Sequence, residues 1–422
     1  MTSRERVRMA LQHKDPDYIP FDLGGCGQTG MNASTLYKLR KGLGLEERPI
    51  EICEPYQLLG AIDEDVRKAL GVDVVPLWNP TNLMGTSEKH TKLWHMPDGT
   101  PVLMSDNFEY DEKENGVFVY PQGDRTVPYS LHLPKNGIFF DNIDRAPEFD
   151  EDNLTPVEDF REQYTVVPQK TVDYWEKASR ELYENTDYSI MGVLGGMGLG
   201  DSAELPGPFL KAPRGIRDMQ SWMIALAAFP DYIHSVFELQ TEVMLKNLEL
   251  YHSAVGERID SIFISGSDFG TQNGPFISPD MFRRLYKPYY KRVNDWIHKN
   301  TTWKTYYHSC GSVFQLIPDF IEMGVDILNP VQCSAKDMEP QRLKELYGKD
   351  ITFWGGGVNT QATLPFGTPD EVYREVTERC QIFAPGGGFV FAAIHNVVGD
   401  VPIDNMLAMY RAVDDFRRQQ RG

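Results

Sequence analysis

Eight short apolar runs, each followed by a longer stretch with helical spacing, constrain this chain more than any other feature. The runs are "YIPFDLGG" (18–25), "VDVVPLW" (72–78), "YSIMGVLGG" (188–196), "SIFISGSD" (261–268), "KTYYHSC" (304–310), "VDILNPVQ" (325–332), "ITFWGGGV" (351–358) and "GFVFAAIH" (388–395). Near-continuous apolar or β-branched character over so few residues marks strands buried on both faces, as in a parallel sheet. Helical periodicity fills the intervening segments, for example 217–255 and 278–300. Strand then helix, eight times, describes an α/β fold of the (β/α)8 TIM-barrel type. A doubly wound open sheet is the alternative use of the same elements.

One stretch breaks the alternation. Residues 85–143 carry turn signals at Pro97-Asp98-Gly99, Glu114-Asn115-Gly116 and Lys135-Asn136-Gly137 between short strand-like runs. That pattern predicts a β-meander inserted after the second barrel strand, covering part of the barrel mouth. A core of about 60 residues is small for an independent domain, so residues 1–422 are read as one domain. The opening "MTSRERVRMALQHKDPDYIP" is a helix, with Thr2 and Glu5 at capping-box spacing. It lacks the apolar core of a signal peptide.

The balance of 42 Lys and Arg against 61 Asp and Glu leaves a net charge of −19. Such a charge argues against nucleic acid or an anionic membrane as partner and for a small-molecule substrate. No run reaches the ~18 apolar residues of a membrane span. Five cysteines without framework spacing suggest free thiols or metal ligands in a reducing compartment, with the cytoplasm as expected location.

In a TIM barrel, chemistry sits at the C-terminal ends of strands. Those positions hold Asp22, Cys26 and Gln28 after the first strand, and Asp268 and Gln272 after the fourth. His308 and Cys310 follow the fifth, Asn329, Gln332 and Cys333 the sixth, Asn359 and Gln361 the seventh, His395 and Asn396 the eighth. On an extended strand, residues i and i+2 share a face, so His308 and Cys310 can meet one ion. Imidazole with thiolate suits zinc, and a catalytic zinc takes three protein ligands and one open position. Cys333 is the expected third ligand and His395 the other candidate. Without a metal, Cys310 is a small buried apolar residue and His308 a hydrogen-bonded core or substrate-contacting residue. The glycine clusters at 195–200, 355–357 and 386–388 fit close backbone approach at least as well as phosphate binding.

Taken in order, "SRERVRMALQHKDPDYIP", "SDFGTQNGPFISPDMFRRLYKP", "HSCGSVFQLIPDFIEMGVDILNPVQ", "GGGVNTQATLPFGTPDEV" and "VPIDNMLAMYRAV" resemble the uroporphyrinogen decarboxylase superfamily across the whole chain. The resemblance is nearer to its corrinoid-linked methyltransferase branch. The decarboxylase branch has an arginine-rich segment near its N-terminus, where this chain reads "FDLGGCGQTGMN", and an essential aspartate about where Leu77 stands. The methyltransferase branch carries H-x-C-G and, later, an "APGCG"-like turn; His308 and Cys310 match the first, and Gly387 replaces the cysteine of the second. The resemblance implies zinc on His308, Cys310 and Cys333 or His395, and cobalamin on a partner corrinoid protein. It implies methyl transfer, with Asp268 and Gln272 orienting the substrate, Asp22 or Gln332 assisting, and Asn329, Gln361 and His395 contacting it. Metal-free decarboxylation or a related lyase reaction through Asp268, His308 and His395 is the alternative. A monomer or homodimer is expected.

Overall fold

The computed structural model describes residues 1–87 and 89–421. Seven parallel strands form one sheet in sequential order: β2 (Val74–Leu77), β3 (Ser189–Gly192), β4 (Ser261–Ser265), β5 (Lys304–His308), β6 (Ile327–Asn329), β7 (Thr352–Trp354) and β8 (Phe389–Val390). The first expected strand, β1, is reduced to a bridge at Phe21 beside Phe391. Asp22 N–H donates to Phe391 O at 2.9 Å, and Asp73 N–H donates to Phe21 O at 2.8 Å, so Phe21 joins β8 to β2 and closes the ring. Pro20 has no amide to extend the ladder. Seven of the eight expected strands are therefore present in TIM-barrel order, and a single bridge stands in for the first.

Alternation along each strand fills the barrel. Val74, Met191, Phe263, Tyr306, Ile327, Trp354 and Val390 form its interior cluster, with Val7 and Leu11 of the N-terminal helix α1 (Ser3–Leu11). Helix α1 starts with the expected capping box: Glu5 N–H donates to Thr2 Oγ1, and Thr2 N–H to Glu5 Oε2. On β5, Tyr306 faces inward, whereas Tyr307 packs outward with its ring centroid 5.1 Å from those of Tyr290 and Phe320. Period 2 thus sends His308, two residues after Tyr306, to the inner side at the C-terminal end. Asp73 lies before β2, at the opposite end. It is buried between Arg6 (2.6 Å) and Arg417 (2.5 Å), a structural ion cluster far from where barrels do chemistry.

Two small sheets lie outside the barrel. Tyr110–Lys113, Gly116–Val119, Leu131–Pro134 and Asp141–Asn142 form an antiparallel meander. His90–His95 and Pro101–Ser105 form a hairpin that joins Ile50–Glu54 and Leu59–Gly60 from the β1–β2 connection. Each turn signal falls at a strand end. The meander touches the connections after β1 and β3: Phe140 N–H donates to Tyr56 O at 2.9 Å and Asn142 Nδ2 to Ala203 O at 3.3 Å. Among the described residues, no helix is long and apolar enough to cross a membrane.

Candidate active site and metal centre

Strand β5 stops at His308, so the turn after it, not strand pleating, brings Cys310 back toward the histidine. Each amide of that turn has an acceptor. Ser309 N–H donates to Asn329 O at 2.9 Å, Cys310 N–H to Asp268 Oδ1 at 2.6 Å, Gly311 N–H to Gln332 Oε1 at 2.8 Å and Ser312 N–H to Thr271 O at 2.7 Å. Such complete satisfaction fixes the backbone and aims the Cys310 side chain. Cys310 Sγ lies 3.3 Å from His308 Nε2.

The β5–β6 register pairs His308 with Asn329. Asn329 Nδ2 donates to Trp354 O at 2.8 Å, so its Oδ1 must face His308 Nδ1, 2.5 Å away. An oxygen can only accept there, so Nδ1 carries the proton and Nε2 presents a lone pair. The ring of His395 lies 5.1 Å from that of His308, and the nearest ligand atoms of His308, Cys310 and His395 all lie within 4.8 Å of one another. Asp268 Oδ1 is 3.7 Å from His308 Nε2. Burial pushes His308 down to about 4, with His395 adding to the shift and Asp268 and Asn329 opposing it. Burial and then Asp268 push the Cys310 thiol well above its usual range. Lone pair, thiol and carboxylate converge without a cationic side chain, which is the environment that a divalent metal ion completes.

Backbone conformation is costly at this spot. Val331 has φ +58° and His395 φ +67°. A β-branched residue in the left-handed region is an outlier, and such positions cost about 1–3 kcal/mol each and collect at functional sites. The strain at His395 turns a residue beyond the end of β8 toward His308.

Several expectations change. Cys333 does not join the donor cluster: its Sγ–H donates to Val331 O at 3.2 Å. His395 takes the third position. Gly387 precedes β8 and lies at the barrel's other end, where a Cβ would stand 2.4 Å from Lys14 O, so a cysteine at that position could not serve this site. Asn329 is completely buried with its amide spent on His308 and Trp354, so it orients the histidine and does not face substrate. Gln332 and Gln272 donate to Gln361 Oε1 at 3.3 and 3.4 Å, forming an amide chain at the rim. Two carboxylates were not singled out from the sequence. Asp201 and Glu204 lie in the connection after β3: burial and then Asp268 push Asp201 up to about 6, and burial and then Asp201 push Glu204 up to about 8. Their position after a strand end was the available signal, masked by the glycine cluster just before them.

Asp22 is not at the mouth. It is 1% exposed and accepts from Trp354 Nε1 and Gly25 N–H, both at 2.8 Å. Burial pushes its carboxyl up from 3.8 to about 6. Because the folded value exceeds the unfolded one, its contribution to stability is full below about pH 4 and is lost as pH rises through 6. The shift amounts to about 3 kcal/mol. Urea titrations at pH 4 and pH 8 are expected to show a pH dependence smaller by that order in Asp22→Asn than in the wild type. An unchanged difference would remove this assignment.

The fold and this cluster together define a class of structure: a TIM barrel with three potential donors, His308, Cys310 and His395, at the C-terminal mouth. Residues 207–416 match the family model for uroporphyrinogen decarboxylase (URO-D). The chain belongs to the uroporphyrinogen decarboxylase superfamily. Among solved structures, a methyltransferase from Methanosarcina mazei is similar over 99% of both chains, with 17% identity and a TM-score of 0.56, a likeness of fold. An agarase, AgWH50C, aligns over 82% of this chain and 67% of its own, with 10% identity and a TM-score of 0.33. Among proteins with curated descriptions, none matches the chain in sequence.

Proposed function

We propose that the protein is a methyltransferase that moves a methyl group between a small substrate or acceptor and a corrinoid carried by a partner protein. In this reading His308, Cys310 and His395 hold a zinc ion. The observation that carries it is the convergence of His308 Nε2, Cys310 Sγ and the His395 ring at one point of the barrel mouth. Bound zinc would supply a Lewis acid able to hold a thiolate or stabilise a leaving group. The fold likeness to a methyltransferase over nearly the whole chain supports the same reading.

The chain's own residues have definable tasks. Asn329 keeps the proton on His308 Nδ1, leaving Nε2 available. Asp268 holds the Cys310 amide and leaves one oxygen for substrate. Gln272, Gln332 and Gln361 form the polar rim that orients it. The alternative, a metal-free lyase, has His308 and Cys310 acting separately, and the 3.3 Å approach of sulfur to the lone-pair nitrogen supports the shared-ion reading over it.

Purified protein is expected to contain one zinc per chain and to exchange methyl groups with reduced cobalamin when offered a panel of methyl donors and thiol acceptors. Cys333→Ala should leave zinc content unchanged. Wild-type protein without stoichiometric zinc after zinc reconstitution would remove the metal reading.

A further inference from the structure

Strand β4 carries a bulge that decides which residue looks into the mouth. Phe263 pairs with Tyr306 and faces the barrel interior, but Ser265, not Ile264, pairs with Tyr307. The extra residue turns Ser265 outward, where its Oγ lies 2.9 Å from Tyr290 Oη, and Ser267 Oγ lies 3.4 Å from the same oxygen. Gly266, between these two serines, therefore faces inward. Unbroken alternation from Phe263 would put Ser265 there instead.

A Cβ on Gly266 would lie 3.4 Å from each of three atoms: Phe263 Cζ beneath it, Asp201 Oδ2 of the β3 connection and Gln28 Nε2 of the β1 connection. Strands β2 and β3 separate the β1 bridge from β4, so a point within reach of both β1 and β4 connections lies over the mouth and not in its wall. It also lies beside the donor cluster. The Phe263 ring beneath it is 5.8 Å from that of Tyr306, and His308 stands two residues above Tyr306 on β5. Among the described residues, no hydrogen bond holds the Gln28 side chain in place.

Neither backbone nor packing requires glycine at this position. Its φ lies outside the left-handed region, and the three approaches of a Cβ would be ordinary van der Waals contacts. Gly192, at the end of β3, and Gly357, just after β7, differ. A Cβ on them would stand 2.6 Å from Tyr251 Oη and 2.4 Å from Phe391 Cε2, so packing dictates both. At Gly266 the missing side chain leaves open the gap between β4 and Gln28. From this geometry we propose that Gly266 sets the size of the substrate group admitted beside the His308–Cys310–His395 cluster, with Gln28 as the facing wall. The proposal deepens the methyltransferase reading and rests on it for a sulfur substrate held at the metal.

Cobalt(II) in place of zinc reports thiolate ligation through its absorption, so the cobalt-loaded full chain can be titrated with ethanethiol and 1-butanethiol. Gly266→Ala and Gly266→Val should take up metal as the wild type does and hold ethanethiol within about twofold of its wild-type affinity. Butanethiol should bind about threefold more weakly to Gly266→Ala and about tenfold or more weakly to Gly266→Val. Adding Gln28→Ala to Gly266→Val should recover most of that loss, which a purely structural glycine would not allow. An unchanged ratio of the two affinities in both Gly266 variants overturns the proposal and leaves the methyltransferase reading standing. Lost metal uptake, or an equal loss for both thiols, in Gly266→Ala assigns the glycine to packing and likewise overturns it. Wild-type protein that takes up no cobalt, or once loaded binds neither thiol, removes the thiol-acceptor reading and this assignment together.

Discussion

Replacing His308 or Cys310 with alanine is expected to eliminate stoichiometric zinc and to lower methyl transfer about a thousandfold. The size follows from the several kcal/mol that a Lewis acid contributes, at about 1.4 kcal/mol per factor of ten. Either substitution leaves two protein donors, and Cys333 cannot replace the lost one because its sulfur is turned to Val331 O. His395→Ala should also lose zinc. His395→Cys is expected to recover part of it, since the donor set becomes Cys2His, which zinc accepts. Fold stability should change little in Cys310→Ala, because Cys310 is only partly buried and its amide bond to Asp268 does not involve the side chain. Zinc content by atomic spectroscopy, with circular dichroism as a folding control, checks these outcomes. Retention of one zinc per chain in both His308→Ala and Cys310→Ala would place the metal elsewhere or remove it.

The barrel was legible because its strands are buried on both faces. Continuous apolar runs such as "SIFIS" and "TFW" have no solvent face on which to place polar residues, so their pattern is hard to mistake. Segment 217–255 has the expected helical periodicity, and the structure divides it at Phe229, where Pro230 starts a second helix. The His308–Cys310 pair was legible from spacing, although its physical basis proved to be a four-amide turn. What completes the pair was harder to read. A local motif put the third donor at Gly387, but nothing in a motif says at which end of a strand it lies. Position relative to Phe389–Val390 settles that Gly387 is at the wrong end and His395 at the right one. Asn329 illustrates the opposite limit. A polar residue at a strand end looks like a substrate contact until the register shows its amide occupied on both sides.

A large loss of stability is expected from a single methyl group at Gly311. This residue has φ +82°, and a Cβ there would lie 2.4 Å from Gly270 C and 2.6 Å from Thr271 O, all of it backbone. Alanine would pay about 1–2 kcal/mol for the left-handed conformation and about 1–3 kcal/mol for forcing two turns apart. Gly311→Ala is therefore expected to destabilise by about 2–5 kcal/mol in denaturant titrations. Gly386 provides the control. It has φ +78° with nothing within 4 Å of its Cβ position, so Gly386→Ala should show only the conformational part. The Gly311 contact also couples stability to chemistry. The turns after β4 and β5 carry Asp268 and Cys310, and separating them strains the hydrogen bond from Cys310 N–H to Asp268 Oδ1. Gly311→Ala protein that still folds should bind zinc about 10–100-fold more weakly, the usual loss when a ligand's support is removed. Gly386→Ala should bind it normally, because that glycine precedes β8 at the far end of the barrel. Equal zinc affinity in the two variants would mean that the close approach of Gly270 and Gly311 does not hold Cys310 in place.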